Sequence, residues 1–214
     1  MTWKDLKIIT LQKVFAISDG NLVEDDTTRE YLSAMPGAAN EGLKLLATAG
    51  RFLKKQLVII QGDDAEEGAV VRALSENAVE RYDLEDLAED FYGLDGDGAY
   101  FEQDGSYGQA SNWTMEAGHV LVLPGNQEGK WTLWYNAYPA DITDETADDT
   151  ELPLHPEAAV LLPLYMASQL YKDDELSMAV QYRNEFEVGR DALAGAKGRS
   201  QGSRDAWGSA TGWW

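Results

Sequence analysis

The chain contains two histidines, His119 and His155, and no cysteine, which already removes most routes to catalysis. Without a thiol there is no thiolate nucleophile, no disulfide framework and no cysteine-based zinc site. His119 leads into the β-branched run HVLVLP, and His155 opens HPEAAVLL, where an imidazole can cap a helix; both read as structural residues. No serine sits in a G-x-S-x-G elbow, and GSYG at 105–108 reads as a turn. Neither a P-loop nor a dinucleotide-binding glycine pattern is present in the sequence. The stretch LDGDGAYFEQDG at 94–105 begins like a calcium loop, with Asp95 and Asp97 at the first and third ligand positions. Ala99 then stands where the third oxygen ligand belongs and Ser106 where the bidentate Glu belongs, so the match fails. A hydrolase built on paired carboxylates is the enzymatic alternative, yet among 38 Asp and Glu no spacing nominates a pair. The chain therefore reads as no enzyme, with no catalytic, cofactor-binding or metal-ligating residue.

Aromatic residues offer contact chemistry instead. Trp113, Trp131, Trp134, Tyr135 and Tyr138 crowd one region, and KWTLWYNAYP at 130–139 alternates like a strand. On such a strand Trp131, Leu133 and Tyr135 point one way and Trp134 and Tyr138 the other. One face is expected to be core and the other a contact surface, which makes Trp134 and Tyr138 the contact candidates.

Charge and composition bound the rest. The formal net charge is −21, the pI is near 4.2, and 44% of residues are apolar. Such a surface repels nucleic-acid phosphates, so specific DNA binding is disfavoured, while the apolar content is far above that of a chain that cannot fold. At 214 residues the chain holds one domain, or one with an insertion. MTWKDLKIITLQKVF has charges among its apolar residues, unlike a signal peptide, and the longest apolar run, 158–167, is half the ~20 residues that span a bilayer. A soluble, unsecreted protein without a membrane partner is expected.

The elements that position these residues follow from periodicity. Thr2 is placed to cap a first helix over 2–16, ended by the turn SDGN at 18–21. A second helix is expected from Asp26 or Thr27 to 53, interrupted at Pro36, with a small face of Gly37, Ala38, Ala39 and Gly42 that another helix can approach closely. The period then changes: QLVIIQG (56–62), GHVLVLPG (118–125) and KWTLWYNAYP read as strands, the last two joined as a hairpin through NQEG at 126–129. A short helical patch lies between 69 and 92, and FYGLDGDGAYFEQDGSYG reads as strands separated by glycine turns. DITDETADDTE at 141–151 is expected to be a solvated acidic linker. A third helix starts with Pro156 in its first turn, is apolar all round over 158–167 and bends at Pro163. A fourth runs over 175–193, capped by Asp173 or Asp174. The fold class is α+β: a helical bundle from the two ends (1–55 and 143–194), an inserted β-rich subdomain (56–142) and a flexible C-terminal arm (195–214).

Two features of the C-terminal third point outward. Arg183, Glu187 and Arg190 sit at i, i+4 and i+7, on or beside the apolar stripe of the fourth helix, and they are candidates for pairing across a subunit boundary as well as for packing around a monomer core. AGAKGRSQGSRDAWGSATGWW carries Lys197, Arg199 and Arg204 against Asp205, together with Trp207, Trp213 and Trp214. Exposed tryptophans are costly unless a partner buries them, so these residues are candidates for docking.

The phrases TLQKVFAIS, DDTTREYLSAMPGAANEGLKLLATAGRFL and LPLYMASQLYKDDELSMAVQYRNEFEVGRDAL resemble the head-tail connector (adaptor) proteins of tailed bacteriophages. The resemblance covers the two helical ends, about half of the chain, and departs from the family in the β-rich insertion. It implies a structural virion protein at the neck, in a homo-oligomeric ring, commonly dodecameric, that sits beneath the portal and extends the DNA channel without binding DNA specifically. It further implies a C-terminal arm docked on the portal protein, and tail or neck proteins as further partners. The alternative is a binding module whose β insertion recognises a glycan or a tail protein through Trp134 and Tyr138.

Overall fold

The computed structural model describes residues 1–15 and 26–208, the stretch 196–208 as backbone only. In chain order the elements are α1 (Trp3–Phe15), α2 (Asp26–Gly50), β1 (Lys54–Gln61), β2 (Val70–Arg72), β3 (Val79–Asp83), α3 (Leu84–Leu87) and β4 (Phe91–Gln103). There follow β5 (Ser106–Gln109), β6 (Thr114–Glu116), β7 (Val120–Pro124), β8 (Gly129–Ala137), α4 (Pro156–Ala159), α5 (Leu162–Leu170) and α6 (Leu176–Gly208). Helices and strands are both well represented, so the fold class is mixed α and β. The chain divides into two compact units, one of Met1–Phe52 with Pro139–Trp214 and one of Leu53–Tyr138.

The first unit is helical. Thr2 caps α1 reciprocally with Asp5: the Asp5 N–H donates to Thr2 Oγ1 at 3.1 Å and the Thr2 N–H to Asp5 Oδ2 at 3.0 Å. Leu6, Leu11, Met35, Leu43, Leu46, Leu162, Met166 and Phe186 form a buried core drawn from α1, α2, α5 and α6. The small face of α2 is used unevenly. A Cβ on Gly42 would stand 2.5 Å from Leu162 Cδ1 and 2.9 Å from Tyr165 Cδ1, whereas one on Gly37 would meet nothing within 4 Å. Gly42 is thus the residue that admits α5.

Several expectations for this unit are corrected. The third helix does not run unbroken to a bend at Pro163: α4 ends at Ala159 and α5 restarts at Leu162. Pro163 lacks an N–H and its ring would press on the Ala159 carbonyl, so the chain breaks before the proline. Because of that break Val160 is 65% exposed, although the run 158–167 suggested burial on every side. The acidic segment 141–151 is exposed yet anchored. The Trp3 N–H donates to the Thr150 carbonyl and that of Lys4 to the Asp148 carbonyl, both at 2.9 Å, and the Asn40 side chain brackets the Ile142 backbone at 2.7 and 2.9 Å. The segment therefore supplies acceptors for first-turn donors of α1 that have no partner inside the helix. Finally, the backbone of 194–208 continues α6 where a coil was expected. Alanines, arginines and glutamine are strong helix formers, and extension from an existing helix avoids the cost of nucleation.

The second unit holds a five-stranded sheet in the order β2-β1-β8-β4-β5 and a three-stranded sheet in the order β3-β7-β6. Its core gathers Ile59, Leu84, Leu121, Leu123, Trp131 and Leu133. A buried polar relay links the two sheets. The Trp131 indole N–H donates to Gln61 Oε1 at 2.7 Å, and Gln61 Nε2 donates to the Pro124 carbonyl at 3.0 Å and to the Tyr82 hydroxyl at 3.2 Å.

Here too the local reading is corrected. β7 and β8 are consecutive but form no hairpin: β7 pairs with β3 and β6, while β8 pairs with β1 and β4. Gly129 turns the chain between the sheets with φ +148°, and a Cβ there would lie 2.5 Å from Phe101 Cζ. The helical patch expected between 69 and 92 reduces to the four residues of α3, which follow the strands β2 and β3. The glycines of LDGDG make no turn. They lie within β4, where the register shifts between Leu94 and Ala99, so that residues 95–98 stand against the single residue Trp134. The turn is at Asp104 and Gly105, with φ +51° and +76°, joining β4 to β5.

Candidate assembly surfaces

Arg183, Glu187 and Arg190 meet on one face of α6. Glu187 Oε1 receives Arg183 Nε at 2.7 Å and Nη2 at 2.6 Å, and Glu187 Oε2 receives Arg190 Nη2 at 2.6 Å. Arg190 Nη2 also reaches Asp191 Oδ1 at 3.1 Å. The Arg183 guanidinium lies 5.0 Å from the Tyr165 ring and 5.7 Å from that of Phe186, a cation over the aromatic edge of the core. Beneath it the Tyr165 hydroxyl donates to Glu41 Oε2 at 2.8 Å. Burial first and that hydrogen bond second push the Tyr165 phenol up, while Arg183 pulls it down. The three charges thus pair within one subunit, and half-exposed pairs of this kind each contribute up to about 1 kcal/mol. With Asp191 the cluster counts two guanidinium groups and two carboxylates, so it presents no net charge toward solvent.

Elsewhere in the helical unit, tyrosines tie helices together in ways that periodicity does not reveal. The Tyr171 hydroxyl donates to the Val14 carbonyl and the Tyr182 hydroxyl to the Lys13 carbonyl, the latter at 3.2 Å. Their rings stack at 6.2 Å and 5°, and Lys13 Nζ lies 5.8 Å from the Tyr182 ring. Both hydroxyls donate to carbonyls in the last turn of α1 and so tie that turn to the C-terminal helices. Tyr31 donates its hydroxyl to Asp174, and that bond raises its phenol to about 12.

In the β-rich unit Trp131, Leu133 and Tyr135 are buried, while Trp134 is 38% exposed, the alternation expected for this strand. Tyr138 lies just past β8, half-buried, with its ring 5.3 Å from Tyr92. The register pairs Tyr100 with Thr132, which puts Tyr100 on the Trp134 side of the sheet. Tyr100 stacks on Tyr107 at 5.4 Å and 4°, and Tyr107 is 55% exposed. Sequence reading missed Tyr100 and Tyr107, because only the strand pairing shows which face they share with Trp134.

The histidines act as expected from their neighbours. His155 Nδ1 accepts the Glu157 N–H at 3.4 Å and caps α4, and the His119 ring lies 3.1 Å from the Ala117 carbonyl. A cleft of about 590 Å³ in the β-rich unit is lined by Asp64, Glu66, Glu102, Asp104, Glu128 and Lys130. Among the described residues no group of three or more acidic or histidine side chains is placed to hold a metal ion. Among them, too, no helix is long and apolar enough to cross a membrane.

A family model described as SU10 adaptor protein matches residues 9–212. The chain belongs to this family of phage head-tail adaptors. The match runs across the β-rich unit as well as the helices, so it extends well beyond the two helical ends that carried the resemblance. No curated protein matches the chain. As an adaptor of this family it is a phage structural protein whose counterparts are other head or tail proteins. The candidate docking residues lie at the far end of the matched region. Lys197, Arg199, Arg204 and Trp207 belong to the backbone of α6, and Trp213 and Trp214 fall outside the described residues.

Proposed function

We propose that this adaptor is a subunit of a ring in the virion neck, dodecameric as in related connectors, seated between the portal and the tail and continuing the DNA channel. The observation that carries the reading is the family match over 9–212. The charge of −21 supports it, since a wall that repels phosphates lets DNA pass without sticking. Arg183, Glu187 and Arg190 belong to a subunit boundary in this reading, their half-exposed ion pairs giving polar contacts to a neighbour. The C-terminal segment docks on the portal protein through Lys197, Arg199, Arg204, Trp207, Trp213 and Trp214. The helical backbone to Gly208 supports a docking element that is already structured along most of its length, which lowers the entropy lost on binding. Repetition around a ring then multiplies weak contacts into a durable joint.

The test is the mass of the purified protein, alone and with portal-bearing heads. A ring-sized species in either state is the expected result; a single chain in both overturns the reading. Removing 206–214 should leave folded subunits that no longer attach to the heads, and undiminished attachment overturns the docking role.

A second reading assigns contact with a glycan or a tail protein to the β-rich unit. It is favoured by the exposure of Trp134, Tyr92 and Tyr107 at 38%, 37% and 55% beside Tyr138 and Tyr100. Replacing Trp134 or Tyr138 by Ala should abolish such binding while leaving ring mass unchanged.

A further inference from the structure

Four Asp-Gly steps occur in the chain, at 19–20, 95–96, 97–98 and 104–105, and the first lies outside the described residues. Such a step can rearrange without an enzyme, because glycine has no side chain to shield its amide nitrogen from the carboxyl group just before it. The fold holds the three described steps differently. The Asp95 carboxylate is paired with Lys54, and its side chain is 14% exposed within the irregular stretch of β4. Gly98 is buried, and a Cβ there would stand 2.8 Å from Trp113 Cζ2. Asp104 and Gly105 instead form the whole turn between β4 and β5, since Gln103 pairs with Ser106. Both are exposed, and a Cβ on Gly105 would meet nothing within 4 Å. Among the described residues neither the Asp104 carboxylate nor the Gly105 N–H makes a hydrogen bond.

We propose that Asp104 is a site of spontaneous modification, converting to isoaspartate through a succinimide ring closed by the Gly105 nitrogen. In the closing step that nitrogen attacks Asp104 Cγ and a Cγ–O bond breaks. The oxygen leaves as water, taking the amide proton and one from solvent. Water then opens the ring. Attack at the Cγ carbonyl restores aspartate, and attack at the main-chain carbonyl leaves the chain running through Cβ and Cγ. Composition is unchanged, and water is the only reagent.

The product does not fit the turn. A two-residue loop fixes the register of its hairpin, and isoaspartate lengthens that loop by one backbone atom. β5 is an edge strand, exposed at all four residues, with β4 as its one neighbour in the sheet. With nothing else to hold it, β5 separates and takes Tyr107 off its stack with Tyr100, while β4 stays paired with β8. The face that carries Trp134 thereby loses its most exposed ring as the protein ages. This chemistry is independent of how subunits assemble.

The experiment keeps the purified protein in warm, neutral buffer beside the free peptide EQDGSYG until half of the peptide has isomerised, and maps isoaspartate by electron-transfer fragmentation. Conversion at Asp104 is expected within about tenfold of that in the peptide, and at least about tenfold above that at Asp95 and Asp97, where the backbone must first open. Aged protein should show faster amide hydrogen exchange in β5 and unchanged exchange in β8. Asp104→Glu, whose longer side chain would have to close a larger ring, should show neither the modification nor the faster exchange. A protein unmodified at Asp104 while the peptide converts, or one modified first at Asp95 or Asp97, overturns the proposal. Isoaspartate at Asp104 with exchange in β5 unchanged overturns the separation of that strand.

Discussion

Leu162 Cδ1 lies 2.5 Å from the point where a Cβ on Gly42 would stand, and Leu162 is fully buried. The contact between α2 and α5 is therefore set by a missing methyl group. Gly42→Val is expected to lower the stability of the helical unit by about 2 kcal/mol through overpacking. Gly37→Ala, on the same helix with open space around it, is expected to raise stability by up to about 1 kcal/mol through helix propensity. Denaturant titration of both variants checks the pair, and opposite signs are the expected outcome.

The tyrosine caps on α1 give a second test. Tyr171→Phe and Tyr182→Phe keep the stacked rings and remove only the hydroxyls that serve Val14 and Lys13. Each should cost about 1 kcal/mol. The loss should appear as faster amide hydrogen exchange in the last turn of α1, with α2 little changed.

Two phenols should titrate late. Tyr31, held by its hydrogen bond to Asp174, and Tyr135, shifted by burial first and by Asp90 second, are each pushed up to about 12. Because the native state favours the protonated phenol, their stabilisation is complete below the ordinary tyrosine value of 10.0 and is lost as pH rises from there through about 12. Ultraviolet titration should show a late phenolate fraction that shrinks in Tyr31→Phe and again in Tyr135→Phe. Alkaline unfolding should begin in the same interval.

The relay across the β-rich unit should be sensitive to one side chain. Gln61→Met keeps the volume but removes both the acceptor for the Trp131 N–H and the donor to Pro124 and Tyr82. With a buried indole N–H left without a partner, a loss of about 1–3 kcal/mol is expected. Urea unfolding of the variant against the parent, followed by circular dichroism, measures the loss.

Much of the local structure was legible in the residues themselves. The Thr2 cap, the alternation of Trp131, Leu133 and Tyr135 against Trp134 and the capping role of His155 all depend on neighbours a few positions apart, where side-chain period and backbone preference act directly. The family, too, was readable from phrases in the helical ends. The misreadings have one physical source. NQEG looked like a hairpin because consecutive strands usually pair, but β8 finds better partners in β1 and β4, far away in sequence. Residues 194–208 looked like coil because their glycines and serines are poor core formers, yet an existing helix needs no nucleus to continue through them.

The sequence by itself determined charge, element type and family, since each is a sum over local residues or a pattern along the chain. Only the tertiary structure decided that Gly42 admits α5, that Arg183, Glu187 and Arg190 satisfy one another within a subunit, and that Tyr100 and Tyr107 share a face with Trp134. Those outcomes depend on which distant segments lie side by side, and that choice is made by burial of the whole core, a collective energy that no short stretch of residues contains.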